Sequence, residues 1–209
     1  MMMTHHGVNS LSVTWGNTVR IGDRDYPVVK IGNQLWMAEN LDFKFSGLVV
    51  HQSGTSSSEP RANYYQNNES TYGANGNKYG LLYNWPAVKY LIDLKGSAGD
   101  LIPGWHVPTA AEFDALATAV GGTSVAGTKL KSATGWNSGN GDGSTAFSAF
   151  PAGGYNGSFL DVGSNAIFWT ATEYNSDAYV RYFNKGSSMK SNNFSKYGQY
   201  SVRLVKDSQ

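Results

Sequence analysis

Short apolar runs, each followed by turn-forming residues, dominate the first forty positions of the chain. Pairs such as Gly22-Asp23 and Gly32-Asn33 separate these runs, which is the pattern of β-hairpins. The predicted strands cover residues 11–15, 18–21, 28–31 and 34–38. We therefore expect the chain to begin with a meander of antiparallel strands.

Two helices are predicted in the middle of the chain. Asn84 is a favourable N-cap for a helix over residues 86–94, which has proline at its first position. A second helix begins with a T-x-x-E capping box formed by Thr109 and Glu112. The pair Gly121-Gly122 is expected to end it.

The second half of the chain has the pattern of strands separated by glycine, asparagine and serine turns. A short piece at residues 126–132, either helical or extended, leads into it. The predicted strands cover residues 147–151, 155–161, 167–173, 179–183 and 200–205. Strands, then helices, then strands again indicate an α+β domain rather than alternating βαβ units.

A single domain accounts for this order of elements, since 209 residues is the length of one large domain. Residues 1–10 are expected to be a flexible lead-in without the apolar core of a signal peptide. Residues 11–209 are expected to form the domain. Within it, residues 53–80 are poor in aliphatic side chains and are predicted to be a long polar loop, either functional or poorly ordered.

Charge and composition exclude several classes of protein. The net charge is +1 and the charged share is 15%, so we expect no nucleic-acid partner. The chain has no cysteine, which excludes disulfides, thiolate zinc sites and cysteine nucleophiles. No run approaches the roughly 18 apolar residues of a membrane-spanning helix, so no membrane insertion is expected.

No catalytic arrangement is recognisable in the sequence. It lacks a G-x-S-x-G elbow, a phosphate-binding P-loop and a dinucleotide fingerprint. His106 lies just before the second helix and is interpreted as a structural histidine. We therefore predict no enzyme, no catalytic residue and no cofactor.

One glycine-rich loop, residues 135–145, carries oxygen-bearing side chains that could bind a cation. They are Asn137, Asn140, Asp142 and Ser144. Their spacing is not that of an EF-hand. We interpret the loop as an Asx-rich turn and predict no metal site.

The most informative segment is residues 174–200. Of its 27 residues, 15 are Tyr, Asn, Ser or Asp, a composition typical of paratopes, in which tyrosine supplies rigid contact area and small polar residues supply hydrogen bonds. The other interpretation is a polar β-meander with solvated loops. The candidate ligand-binding residues are Tyr174, Asn175, Asp177, Tyr179, Tyr182, Asn184, Lys185, Asn192, Asn193 and Tyr197.

Ordered motifs along the chain carry a family resemblance. They are VVKIGNQLWMAENL at 28–41, LLYNW at 81–85, GWHVPTAAEF at 104–113, LKSATGW at 130–136, FSAFPAGGY at 147–155, FWTATE at 168–173 and YSVRLVKD at 200–207. Together they resemble the Fibrobacter succinogenes major paralogous domain family over about residues 26–207.

The resemblance implies the C-type lectin-like fold, with two helices, twisted antiparallel sheets and long irregular loops. That fold is shared with formylglycine-generating enzymes, which use cysteines that this chain lacks. Calcium-dependent lectins use E-P-N or Q-P-D followed by W-N-D, whereas here Arg61 follows Glu59-Pro60 and Ser138 follows Trp136-Asn137. Calcium-bridged sugar binding is therefore not expected.

The fold is also shared with retroelement-diversified variable proteins, in which mutation of asparagine codons near the C-terminus yields mainly Asn, Tyr, Ser and Asp. Residues 174–200 are similar to such a region, bracketed by the motifs FWTATE and YSVRLVKD. The resemblance thus implies that exposed positions of this segment form the ligand face. Ordinary members of the family are also rich in asparagine and tyrosine here, so the composition does not establish diversification.

We therefore expect a non-catalytic binding or adhesion module that presents this face to a cell-surface protein or glycan. It would be extracellular, on the cell surface or in a phage virion, in one form as a retroelement-diversified receptor-binding protein, and an oligomer is compatible with that role. One alternative is a structural tip or scaffold domain of a phage fibre or surface appendage without a specific ligand, and another is a cysteine-free hydrolase. The expected core comprises Trp36, Trp85, Trp105, Phe113, Leu116 and Trp169, with Arg203 pointing to the opposite face from Val202 and Leu204.

Overall fold

A computed structural model of the chain describes residues 17–73, 76, 78–93 and 104–207. The predicted lead-in, residues 1–10, and the predicted strand at residues 11–15 lie outside the described residues. The described residues form a mixed α and β structure with four α-helices and mainly antiparallel strands. None of the helices in this part of the chain has the length and apolar content to cross a bilayer.

The first sheet joins the beginning and the end of the described chain. Its strands are β1 (Asn17–Ile21), β2 (Arg24–Ile31), β3 (Gln34–Met37) and β12 (Val205–Asp207), in the order β1-β2-β3-β12. All three pairings are antiparallel. The predicted strands at residues 18–21, 28–31 and 34–38 are therefore confirmed, with small changes of boundary.

The polar segment at residues 53–80 contains one strand of a small second sheet, a 3-10 turn and a short helix. This sheet comprises β4 (Val49–Val50), β5 (Arg61–Asn63) and β6 (Leu82–Tyr83), and β5 is followed by a 3-10 turn at Tyr65–Asn67 and helix α1 (Glu69–Tyr72). The Asn84 side-chain nitrogen donates to the carbonyls of Ser56 and Glu59 at 3.1 and 2.9 Å. These bonds tie the loop to the body of the protein.

The two predicted helices are α2 (Trp85–Asp93) and α3 (Ala110–Ala119), and the short third piece is helix α4 (Thr123–Leu130). Thr109 Oγ1 accepts from the Glu112 amide, and Glu112 Oε2 accepts from the Thr109 amide. The predicted capping box is thus present. Gly121 and Gly122 have φ of +108° and +103°, which is the conformation that ends helices at glycine.

The third sheet consists of β9 (Ala166–Tyr174), β10 (Asp177–Phe183) and β11 (Lys190–Ser195), with β10 in the centre. A separate hairpin of β7 (Gly154–Tyr155) and β8 (Phe159–Leu160) precedes this sheet in the sequence. Strand β11 was not predicted. The strand predicted at residues 147–151 was wrong, since only an isolated bridge between Ala149 and Lys131 forms there. The strands predicted at residues 155–161 and 200–205 were also wrong: the first region is the β7–β8 hairpin, and only Val205 of the second belongs to a strand, β12.

Two apolar clusters lie on opposite sides of the third sheet. Trp169 and Val180 belong to the first cluster, whereas Phe168 and Phe183 belong to the second, because successive strand residues point to opposite faces. Of the expected core residues, Trp85 and Trp169 lie in the first cluster and Trp36, Phe113 and Leu116 in the second, all buried, while Trp105 is half-buried against the first.

Arg203 lies in the core. Its neighbours Val202 and Leu204 belong to the first cluster, and Arg203 points the other way, as predicted, against Phe147 and Phe168 of the second. The opposite face is therefore a second core, and the Arg203 side chain is fully buried.

Candidate functional site

Four of the ten predicted ligand-binding residues lie together on one face of the third sheet. Tyr174 is the cross-strand partner of Asp177, and Tyr179 is the partner of Asn193. The Tyr174 and Tyr179 rings are 5.3 Å apart at 58°, and Asn193 Nδ2 donates to Asp177 Oδ2 at 2.8 Å. We call this group, Tyr174, Asp177, Tyr179 and Asn193, the tyrosine face.

A β-bulge positions Tyr179. Ala178 pairs with Glu173 and Val180 pairs with Trp169, so residues 170–172 lie opposite the single residue Tyr179. The Thr170 hydroxyl donates to the Tyr179 carbonyl at 2.9 Å. Bulges of this kind redirect side chains and are common beside binding and active sites.

The hairpin that ends the tyrosine face is held in place by Lys196. Asn175, in the two-residue turn between β9 and β10, has φ of +52°, a conformation that asparagine tolerates better than most residues. Lys196 Nζ donates to the Asn175 carbonyl at 3.2 Å and to Glu173 Oε2 at 2.6 Å. The turn is therefore fixed relative to the sheet.

Arg181 joins helix α3 to the sheet next to the tyrosine face. It lies two residues after Tyr179, on the same side of β10, and is buried. Its Nε and Nη2 each lie 3.0 Å from an Asp114 carboxylate oxygen, and its Nη1 donates to Ser191 Oγ at 2.9 Å. This bidentate geometry fixes α3 against the sheet.

The other predicted residues do not join the tyrosine face. Tyr182 and Asn192 pair with Lys190 and Val180, so they lie on the opposite side of the sheet, where Tyr182 packs on the first apolar cluster. Asn175 and Tyr197 lie in turns, and Tyr197 is 50% exposed.

Asn184 and Lys185 follow β10 and line a cavity of about 220 Å³. The loop that holds them is fixed by Lys131, which is only 2% exposed. The Lys131 ammonium donates to the carbonyls of Gly139, Asn184 and Gly186. Burial lowers the pKa of Lys131. The glycine-rich loop at residues 135–145, considered above as a cation site, therefore contacts the protein's own Lys131 ammonium through the Gly139 carbonyl.

Two of the four oxygen-bearing side chains of that loop, Asn140 and Asp142, accept hydrogen bonds from donors of the protein. Asn140 Oδ1 accepts from the Trp136 amide at 3.2 Å, and Asp142 accepts from the Ser144 amide and the Lys129 ammonium at 2.9 and 2.7 Å. The bond from the Ser144 amide to Asp142 is an Asx turn, whereas Asn140 accepts from an amide four residues earlier in the chain. Across the described residues, no group of three or more His, Asp or Glu side chains is arranged to hold a metal ion.

His106 contacts the capping residue of helix α3. Its Nε2 lies 2.5 Å from Glu112 Oε1. Burial alone would raise the pKa of Glu112, but hydrogen bonds from His106 and Thr109 outweigh it and hold the pKa below its usual value. The geometry links His106 to the start of α3, which is a structural role.

A second feature, which the sequence did not predict, is a charged cleft of about 730 Å³. Its charged and aromatic lining includes Arg24, Asp42, Lys44, Tyr64 and Glu69. These residues come from the β2 strand, the segment after β3, the residue after β5 and helix α1. No local spacing connects them, so no sequence motif could have identified the cleft.

The comparisons with known proteins bear on the family of this chain. A protein-family model described as the Fibrobacter succinogenes major domain matches residues 29–206, which confirms the resemblance predicted from the motifs. No curated protein and no solved structure gives a match.

Proposed function

Because the chain belongs to the Fibrobacter succinogenes major domain family, whose name states no activity, we propose a function from its surface. The protein is a non-catalytic module of the C-type lectin-like type, and it binds a cell-surface protein or glycan through the tyrosine face. It works outside the cell, on a cell surface or in a phage virion.

The observation that carries this proposal is the exposed aromatic pair beside a hydrogen-bonded amide and carboxylate. Tyr174 is 46% exposed and its ring contacts the ring of half-buried Tyr179. Asp177 and Asn193 add acceptors and donors on the same face. Tyrosine anchors with small polar neighbours on a rigid support are the usual chemistry of protein and glycan recognition.

The rigidity of the support favours binding over a merely solvated strand pair. Arg181 holds α3 beside the face on the same side of the sheet, Lys196 holds the turn, and the bulge at Tyr179 is bonded through Thr170. Since a preorganised surface loses little conformational entropy when it binds, such anchoring increases affinity. The C-type lectin-like assignment is supported by the capping box at Thr109 and by the pairing of β12 with β3.

The experiment is a binding screen with the purified chain on a glycan array and on intact bacterial cells. For any ligand found, the double variant Tyr174→Ala, Tyr179→Ala is expected to weaken binding by about 30-fold or more, since hot-spot residues each contribute about 2 kcal/mol. Tyr90→Ala is the matched control, because Tyr90 is an exposed tyrosine on α2, which contacts β9 but carries no tyrosine-face residue.

Equal affinity of the double variant and the unaltered chain for the identified ligand would refute the site. Loss of binding in the Tyr90 variant alone would place the ligand on α2. Binding of neither glycans nor cells by the unaltered chain would favour the structural tip or scaffold role.

A further inference from the structure

A series of alternately charged side chains leads into the charged cleft. Lys78 Nζ lies 2.7 Å from Glu39 Oε1, and the other Glu39 oxygen accepts from Arg24. The opposite nitrogen of Arg24 lies 3.9 Å from Asp42 Oδ2. Glu39 and Asp42 are nearly buried, with side-chain exposures of 8% and 6%. Arg24, in the cleft lining, therefore joins Asp42 of the same lining to Glu39, which lies outside it.

The series continues through the Tyr64 hydroxyl to the open side of the cleft. The Tyr64 hydroxyl donates to Asp42 and lies 3.2 Å from Glu69 Oε1, which also accepts from Lys44 Nζ at 2.8 Å. Tyr64 is 1% exposed, whereas the side chains of Glu69 and Lys44 are about half exposed. The floor is therefore rigid and the rim is accessible to a ligand.

Two side chains of the cleft, Tyr64 and Glu69, have shifted pKa values. Burial, and then the hydrogen bond to Asp42, raise the pKa of Tyr64 well above its ordinary value. The hydrogen bond from Lys44 lowers the pKa of Glu69. Tyr64 therefore keeps its hydroxyl proton at neutral pH and donates it to Asp42.

The paired charges of this network balance, because Lys78, Arg24 and Lys44 alternate with the carboxylates of Glu39, Asp42 and Glu69. The cleft is also lined by Asp25, which pairs with Arg20 at 3.2 Å, and by the exposed Asp23, so its lining carries more carboxylates than cations and disfavours an anionic ligand. A charged ligand would have to separate one of these pairs or compete with its counterion. A neutral ligand with several hydroxyls can instead use the remaining lone pairs of the carboxylates and the remaining N–H groups of the cations.

We propose that this cleft is a second binding site, separate from the tyrosine face, for a neutral monosaccharide or disaccharide. Its volume is in the range of small-ligand pockets. Hydroxyls of the sugar donate to Glu69 and accept from Lys44, while the half-buried Phe43 ring in the wall contacts the apolar face of the sugar ring. The exposed carboxylate of Asp23 adds an acceptor at the rim.

The experiment is a titration followed by amide NMR with the methyl glycosides of glucose, galactose, mannose and N-acetylglucosamine, each up to about 20 mM, where even a binder of about 1 mM approaches saturation. Saturable shifts at Gly22, Phe43, Lys44 and Glu69 are expected for at least one glycoside. Glu69→Gln and Lys44→Met, both at the half-exposed rim, are expected to weaken that binding by about tenfold through loss of charged hydrogen bonds.

Two control variants distinguish binding in the cleft from a general effect of surface charge and from binding at the tyrosine face. Lys89→Gln removes an exposed ion pair with Asp93 on α2 and is expected to leave the affinity unchanged. The double variant Tyr174→Ala, Tyr179→Ala is expected to weaken binding at the tyrosine face but to leave the shifts at the cleft unchanged.

The cleft proposal is overturned if none of the four glycosides produces saturable shifts. Shifts confined to the tyrosine face overturn it as well. So does a cleft that responds only to charged probes, methylammonium or acetate, at the same concentration. Glu69→Gln and Lys44→Met variants that bind a glycoside as tightly as the unaltered chain also overturn the assignment.

Discussion

The guanidinium of Arg203 lies over the ring of Phe147, with its Cζ 4.4 Å from the ring centroid, and also donates to the Phe147 backbone carbonyl. Further donors reach the carbonyls of Met37 and Ser148 and the side chain of Asn40. One buried side chain thus joins the end of β3, the segment after the glycine-rich loop and the C-terminal segment. Burial lowers the pKa of Arg203 to about 9, which leaves it charged at neutral pH.

Replacing Arg203 with methionine is expected to lower the free energy of unfolding by at least about 3 kcal/mol, because it leaves several buried carbonyls without a donor, each at a cost of about 1 to 3 kcal/mol. Arg203→Lys keeps the charge but loses the planar guanidinium. Its free energy of unfolding should therefore lie between those of the unaltered protein and of Arg203→Met. Urea unfolding measures both. A loss below about 0.5 kcal/mol, the range of surface substitutions, would contradict this role.

Lys131→Met is expected to release the loops at residues 137–141 and 184–186, because the ammonium is their shared donor. We expect a loss of roughly 2 to 3 kcal/mol and faster amide hydrogen exchange in both loops. Lys129→Met is the matched control, since the Lys129–Asp142 pair is about one-third exposed and should contribute less than about 1 kcal/mol. Equal losses of stability in the two variants would show that the buried Lys131 ammonium does not hold the two loops in place.

Two glycines near the β7–β8 hairpin separate the cost of a strained backbone from the cost of a steric clash. Gly153 and Gly157 have φ of +66° and +82°. A Cβ at Gly157 meets nothing within 4 Å, whereas a Cβ at Gly153 would collide with the Leu160 carbonyl. Gly157→Ala should therefore cost about 1 kcal/mol, and Gly153→Ala roughly 1 to 3 kcal/mol more. Thermal unfolding of the two variants measures the difference, and similar melting temperatures would contradict it.

The lowered pKa of Glu112 predicts a stability that depends on pH. Since its folded-state pKa lies below the ordinary 4.5, its contribution is complete above pH 4.5 and is lost as pH falls through the lower folded value. Glu112→Gln can keep the capping hydrogen bonds but not the charge. Urea unfolding of both proteins should differ most near pH 7 and converge near pH 3. A difference that is constant across this range would show that the charge contributes nothing.

Local signals in the sequence predicted the elements whose bonds are local. The capping box of Thr109 and Glu112 and the turns around β2 depend on residues three to five positions apart, and the structure confirms them. Strand β11 has no such signal, because its sequence KSNNFS is polar. It exists because β10 provides six pairing partners, from Asp177 to Tyr182.

The wrong strand at residues 147–151 has an equally specific cause. Ser148 has φ of +52°, and the carbonyls of Phe147 and Ser148 accept from Arg203 instead of from a neighbouring strand. A distant side chain therefore determines the local conformation. Nothing in the sequence around residue 147 indicates that partner.

The candidate site was predictable in part. The composition of residues 174–200 indicated the region, but Tyr179 and Tyr182 are an odd number of residues apart. In a strand that spacing puts them on opposite faces, as the structure has them. The grouping of Tyr174 with Tyr179 depends on the turn at Asn175 and on the bulge, and neither feature has a clear sequence signal.

The alternation along β10 also bears on how such a surface can evolve. Ala178 and Val180 are fully buried in the first apolar cluster, whereas Asp177 and Tyr179 lie on the other side of the strand. If the tyrosine face binds a ligand as proposed, mutations at the second pair would change what it recognises without disturbing the apolar packing of the first pair. A lineage could therefore exchange specificity in single steps, with each intermediate still folded and still exposed to selection for binding.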